Sequence, residues 1–218
     1  MLIALSALKI ELLPAAAAFL PDHGALVVSD LHLGKSATFR ARGVPVPEGE
    51  TAADLARLSD LLESTGARDL LITGDLVHAA DGLNPEIVSQ LRAWLESCPA
   101  KPKLIEGNHD RRAHLARHSL RLEITRNLEI DGVTLIHDPA DLDVPGPAIC
   151  GHLHPSVRLP DSPRRSLRIP CFHLSEEILA LPGFGSFTGT HPIEIQPGDR
   201  VFVPLKDRIQ ELPVDRFP

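Results

Sequence analysis

The segment "PKLIEGNHD" (102–110) ends a short apolar run in a glycine and then sets an amide, an imidazole and a carboxylate in a row. A turn uses Gly and tolerates Asn and Asp, but it has no use for a His between them. Four other segments repeat the pattern: "ALVVSD" ends in Asp30, "DLLITGD" in Asp75, "VTLIHD" carries His137, and "AICGHLH" carries His152 and His154. Short apolar runs bounded by turn residues suit strands buried on both faces. Gly74, Gly107 and Gly151 each stand just before a polar residue. Loop punctuation would explain any one of these ends; five in order are a far more specific signal.

Helical segments separate the first three runs. In 51–64, Leu55, Leu58 and Leu62 form an apolar stripe with Asp54, Arg57 and Asp60 left for solvent. In 84–97, Asn84 is an N-cap and Pro85 a first helical residue, Ile87, Leu91, Trp94 and Leu95 form one face, and Cys98-Pro99 stops the helix. Beyond residue 120 the chain turns to strands. "NLEIDGVTLIH" reads as a hairpin around Asp131-Gly132. "SLRIPCFHL", "EILALPG" and "RVFVPL" are further strand candidates among Pro- and Gly-rich loops. The chain thus reads βαβαβ, then mostly β. Both halves contribute to one site, so the expectation is a single domain over 1–218.

Open α/β sheets gather functional groups beyond the carboxyl ends of their strands. Asp30, His32, Asp75, Asn108, His137, His152 and His154 supply two carboxylates, one amide oxygen and four imidazoles. Nitrogen and oxygen donors without sulfur suit Mn²⁺, Fe or Zn²⁺. Seven donors exceed one ordinary site but fit two ions sharing a carboxylate, and such pairs, about 3.5–4 Å apart, clamp an in-line phosphoryl displacement.

Composition narrows the partners. The chain has 218 residues, no Tyr, one Trp and a formal charge of −7. That argues against a broad basic nucleic-acid surface and against a platform of many stacked rings. Two divalent ions would nonetheless give the site a positive focus. Cys98, Cys150 and Cys171 lie far apart and read as buried thiols of a reduced compartment. The apolar start "MLIALSALKIELLPAAAAFLP" is interrupted by Lys9, Glu11 and Pro14, against a signal peptide. No run approaches the ~20 apolar residues of a membrane span. The expectation is a cytoplasmic protein with no membrane association.

The order D-x-H (30–32), G-D (74–75), G-N-H-D (107–110), His137 and G-H-x-H (151–154) resembles the calcineurin-like metallophosphoesterases over roughly residues 25–155. The resemblance implies a mixed α/β fold, a four-layer αββα sandwich of two mixed β-sheets flanked by helices on both sides. It implies one ion on Asp30, His32, Asp75 and His154, and another on Asp75, Asn108, His137 and His152. His109 would face the substrate as an acid or cation near the leaving oxygen. Asp110 would hydrogen-bond an imidazole and orient it. Where the wider family reads G-D-x-x-D, "GDLVH" places His78, divided between the site's edge and ordinary packing.

"SDLHLGKSATFRARGVPVP", "GDLVHA" and "LPGFGSFTG" are similar to the bacterial DNA-ligase-associated branch of this family. That implies a Mn²⁺-dependent phosphodiesterase acting on single-stranded DNA, in association with an ATP-dependent DNA ligase, a helicase and an exonuclease. Lys35, Arg40 and Arg111 are candidate phosphate contacts, with Arg42, Arg112, Arg158, Arg164, Arg165 and Arg168 completing three basic clusters after three motifs. The few aromatics lead to the expectation that backbone charge, not base stacking, holds the strand. His23, His114, His118, His173 and His191 read as surface or structural residues. The readings to be separated are a nucleic-acid phosphodiesterase, a small-molecule phosphoesterase, and a non-catalytic scaffold on the same fold.

Overall fold

The apolar opening of the chain folds as an antiparallel meander: β1 (Leu2–Leu5), β2 (Leu8–Leu13) and β3 (Ala17–Leu20), followed by β4 (Ala25–Val28). In β2 the alternation is plain, with Leu8, Ile10 and Leu12 buried. The computed structural model describes residues 1–162 and 165–214.

From β4 onward the first sheet becomes parallel, through β5 (Asp69–Ile72), β6 (Lys101–Ile105) and β7 (Glu123–Thr125). The crossovers carry α1 (Lys35–Ala41), α2 (Glu50–Thr65), α3 (Pro85–Ser97) and the short α4 (Asn108–Arg112). Asn84 caps α3 as its type predicts, its Oδ1 accepting from the Ile87 N–H at 2.9 Å, with Pro85 next. The strands are apolar on both faces because both faces are covered. Ala25 and Val27 of β4 join the sandwich core with Phe172 and Phe202. Leu26 and Val28 face Leu55, Leu58 and Leu62 of α2 and Leu91 and Leu95 of α3. Each such leucine contributes about 1.5–3 kcal/mol on burial.

The second sheet begins with the expected hairpin, β8 (Asn127–Ile130) and β9 (Val133–Ile136). Asp131 (φ 50°) and Gly132 (φ 75°) both take left-handed conformations, as a two-residue type I′ turn demands. The chain continues through β10 (Ala148–Cys150), β11 (Pro155–Ser162), β12 (Arg165–Pro170), β13 (Phe172–Ser175), β14 (Ile178–Ala180), β15 (His191–Pro192), β16 (Arg200–Pro204) and β17 (Ile209–Leu212). The second sheet runs β17-β16-β13-β14-β10-β9-β8, with β10 parallel to both neighbours. The mixed α/β sandwich is therefore present, and the first sheet carries α2 and α3 on its outer face. Outside the second sheet the described cover includes a three-stranded sheet, β12-β11-β15, whose Val157 packs with Cys171, Val201 and Val203.

Candidate metal centre

The carboxyl ends of the parallel strands of both sheets meet at one edge. The segments leaving β4 and β5 stay paired, the Asp30 N–H donating to the Gly74 carbonyl at 3.1 Å and the His32 N–H to the Asp75 carbonyl at 2.8 Å. Asp30, His32, Asp75, His152 and His154 all have left-handed backbones, with φ of 52°, 49°, 49°, 64° and 43°. Non-glycine residues rarely adopt such angles, and they persist where the surrounding structure enforces them. The result is a set of sharp bends that turn these side chains to one point.

Two glycines are required by close approach. A Cβ on Gly151 would stand 1.9 Å from Ser29 Oγ and 2.7 Å from Asp30 Oδ2. One on Gly74, itself at φ +86°, would stand 2.0 Å from His137 Nδ1. These glycines are where the sheets' ends touch, so they are more than loop punctuation.

All seven sequence-predicted donors come together. In one set, His154 Nε2 lies 3.1 Å from Asp30 Oδ1 and 3.4 Å from His32 Nε2. In the other, His137 Nε2 lies 3.1 Å from Asn108 Oδ1, 3.2 Å from His152 Nδ1 and 3.4 Å from Asp75 Oδ2. Asp75 Oδ2 is also 3.9 Å from His32 Nε2, so this oxygen stands between the sets.

The chemistry of the donors fits cations. A carbonyl only accepts, so the 3.0 Å contact of His137 Nδ1 with the Thr73 carbonyl puts a proton on Nδ1. Nε2 is left facing an amide oxygen, a carboxylate and another imidazole. Groups about 2.1 Å from an ion stand roughly 3.0–3.4 Å from one another, close to the spacings above. Asp30 and Asp75 are 0% and 2% exposed, and buried carboxylates need compensating charge. Without an ion a proton substitutes: burial disfavours charge on His137, but the hydrogen bond and charge of Asp75 outweigh it and raise its pKa to about 9. Burial likewise opposes ionisation of Asp75, yet His137 and His32 bring its pKa down to about 2. His32 is held neutral by burial, its pKa lowered to about 3, and its Nδ1 is buried without a hydrogen-bond partner.

Around the donors, the residues fall into those that reach the site and those that do not. His109 is partly exposed at the rim, its main-chain N–H donating to Asp75 Oδ1 at 3.0 Å and its Nδ1 meeting the His78 carbonyl at 2.5 Å. His78 belongs to the site's edge: its ring stacks on His109, with centroids 5.1 Å apart, and meets His32 edge-on at 5.3 Å. Lys35 is half-buried at the start of α1, and its ammonium helps hold down the pKa of His78, after burial. Arg111 lines a cavity of about 340 Å³ beside His137, with Arg126, Asn127 and Asp141.

Two expectations are corrected. Asp110 does not orient an imidazole; its carboxylate accepts from the backbone N–H groups of Val77 and Gly107, both at 3.0 Å. At the third position of α4 a carboxylate turns back onto its own helix start, and here it also ties the G-N-H-D loop to the G-D loop. Arg40 is engaged by its own loop. Its guanidinium donates to Ser36 Oγ and the Pro47 carbonyl, each at 3.1 Å, and pairs with Glu48, closing the loop after α1. Arg164 and the side chain of Arg165 lie outside the described residues, while Arg158 and Arg168 face each other across β11 and β12, both exposed.

Sequence reading missed three supports. Asp138 lies 3.4 Å from His152 Nε2; it directly follows His137, a predicted donor, which is its only signal. Ser29 Oγ donates to Asp30 Oδ2. The segment 181–189, noted only as part of a resemblance, fastens the Asp30 backbone, Thr188 Oγ1 donating to the Asp30 carbonyl at 3.0 Å. His23 and His173 pair with Asp131 and Asp199, each at 2.8 Å, as structural histidines.

Comparison with known proteins gives the chain's family. Among curated proteins none matches. The nuclease MPE of Pseudomonas putida is similar in structure, with a TM-score of 0.82 and 32% identity, over 97% of this chain and 99% of that one. The E. coli phosphoesterase YfcE matches at a TM-score of 0.43 and 17% identity, over 88% and 93% of the two chains. The Aquifex aeolicus protein AQ665 matches at 0.40 and 19%, over 60% and 78%. The family model for the calcineurin-like phosphoesterases matches residues 25–163, a span that holds all seven donors. This chain belongs to the calcineurin-like phosphoesterase family and is a metal-dependent hydrolase.

Proposed function

We propose that this protein is a two-metal phosphodiesterase that cuts single-stranded DNA internally. The reading is carried by the convergence of two donor sets on one shared carboxylate, Asp75, in a chain that resembles a nuclease over nearly its whole length. Asp30, His32, Asp75 and His154 would hold one ion, and Asp75, Asn108, His137 and His152 the other. We assign Mn²⁺ to both, a metal that nitrogen and oxygen donors suit. When bound, the ions supply Lewis acidity at the phosphate and activation of the attacking water.

The protein's own residues do the rest. His109 acts as a cation that gives the Nε2 proton to the leaving oxygen, its ring fixed by the Nδ1–H donated to the His78 carbonyl. Lys35 and Arg111 contact phosphates on either side of the centre and set the strand's register. The enzyme acts in the cytoplasm, in DNA repair, alongside an ATP-dependent ligase, a helicase and an exonuclease. A flexible single strand bends into the site, whereas a stiff duplex must distort at a cost of roughly 1–6 kcal/mol.

A circular single-stranded DNA tests this, since it has no end for an exonuclease or phosphomonoesterase. With Mn²⁺ the circle should be linearised faster than a duplex circle, with a rate that falls as salt rises. Survival of the circle while small phosphodiesters or sugar nucleotides turn over would put a small-molecule phosphoesterase in its place. Turnover of none of these substrates would favour a binding scaffold.

A further inference from the structure

Large rings in this protein are mostly hidden, with Phe172, Phe184 and Phe202 fully buried. Phe187 is different: at 40% exposure it is the one exposed Phe among the described residues. It sits in the segment 181–189, which is fastened on both sides of it. The Phe184 N–H donates to the Ser29 carbonyl at 2.7 Å and the Gly185 N–H to the Asp30 carbonyl at 3.2 Å. The Ser186 N–H donates to the buried carboxylate of Asp54 at 2.9 Å, and Thr188 Oγ1 to the Asp30 carbonyl at 3.0 Å. Arg57 closes the base of the loop by lying over the Phe184 ring, 4.1 Å from its centroid. The exposed ring is therefore held in a fixed place relative to Asp30.

Its surroundings run back into the site. Phe187 meets Phe39 edge-on at 5.7 Å, and Phe39 meets His78 at 6.3 Å. His78 in turn stacks on His109, 5.1 Å away and 21° from parallel. Four rings, those of His109, His78, Phe39 and Phe187, thus form a path from the site out to solvent. A single exposed apolar residue is ordinary on a protein surface. A ring anchored to the donor loop, met edge-on by a second ring and linked through it to the histidines of the site, is a built feature.

We propose that Phe187, backed by Phe39, is a stacking platform for a nucleobase of a single-stranded nucleic acid, on the His109 side of the phosphate that is cut. The proposal rests on the nucleic-acid reading above and deepens it. Every base has a π-face, so one ring binds a strand with little regard to sequence. A base inside a duplex is already stacked and paired, and it reaches such a ring only by leaving the stack. Selection for single strands then arises at this ring as well as from backbone stiffness. A scarcity of aromatics in the composition does not exclude this, because one ring in the right place suffices.

The test compares two single-stranded oligonucleotides of equal length, one with natural bases and one with tetrahydrofuran abasic units throughout. Wild type, Phe187→Ala and Phe187→Trp are assayed on both with Mn²⁺. Phe187→Ala should raise KM on the natural strand about 5- to 160-fold, the range of single base–aromatic stacks, with kcat within about twofold. Wild type should lose a similar factor on the abasic strand, Phe187→Ala should lose little more there, and Phe187→Trp should match wild type. An equal slowing of both strands by Phe187→Ala would make the ring a structural support and overturn the proposal. So would a wild type that handles the abasic strand as well as the natural one, a result that does not depend on any variant folding. If wild type cuts neither strand yet turns over a small phosphodiester, the nucleic-acid reading itself falls.

Discussion

At His109 one backbone carbonyl decides which nitrogen is turned to the site. The His78 carbonyl, 2.5 Å from Nδ1, only accepts a hydrogen bond, so Nδ1 carries the N–H and Nε2 is the atom left to the site, 3.9 Å from Asp75 Oδ2. The residue has a second role, since its main-chain N–H donates to Asp75 Oδ1. His109→Ala removes the first and keeps the second. Metal content should therefore stay near that of wild type while kcat falls about 10²–10⁴-fold, the usual contribution of a general acid. Elemental analysis beside steady-state kinetics checks this, and loss of an ion in the variant would make the imidazole a ligand instead. Residues of this kind are legible in sequence because the chemistry demands particular donors at strand ends. Asp110 and Arg40 are not, because a carboxylate or guanidinium satisfies a backbone group as well as a side chain, and composition does not say which.

Among the elements, the segment 181–189 has the least obvious job and the most direct one. Asp30 sits at φ 52°, and its carbonyl accepts from both the Gly185 N–H and the Thr188 hydroxyl. Outer partners of this sort typically change metal affinity 10–100-fold when removed. Thr188→Val keeps the shape and removes the donor, so the affinity of the Asp30 set should weaken by about that factor, while stability drops only ~1 kcal/mol. Metal titration with thermal melting separates the two effects; an unchanged affinity would leave the segment a packing element. Other elements differ in how openly they are written. β4, β5 and β6 are legible as apolar runs because both their faces are covered, α3 through Asn84-Pro85, and the β8–β9 hairpin through Asp131-Gly132. The N-terminal meander is not, since Ala16–Ala18 and strands of four to six residues give too short a period to read. The small outer sheet is less legible still, β15 being two exposed residues that only the neighbouring β11 makes a strand.

On the scale of the whole molecule, the formal charge is −7, yet two of its carboxylates are buried where cations belong. In the metal-free protein the coupled pair of His137 and Asp75 answers that need with a proton. His137 is raised from 6.5 to about 9, so its contribution to stability is full below about pH 6.5 and is lost as pH climbs through 9. Asp75 is lowered from 3.8 to about 2, so its contribution is present above 3.8 and is lost as pH falls through 2. Between pH 6.5 and 9 the metal-free protein should therefore become less stable step by step. An ion held by His137 Nε2 would compete with the proton for the same lone pair, so loading would release that proton, and affinity should rise by up to about tenfold per pH unit across the same window. The stabilisation given by metal, measured as the Tm difference between Mn²⁺-loaded and chelator-treated protein, should widen from pH 6.5 to pH 9. Calorimetry at pH 7.5 in buffers of different ionisation enthalpy should find about one proton released from His137 on loading. His137→Ala should abolish that proton and flatten the Tm difference, whereas a wild-type difference that is level across the window would mean that no proton occupies the ion's place.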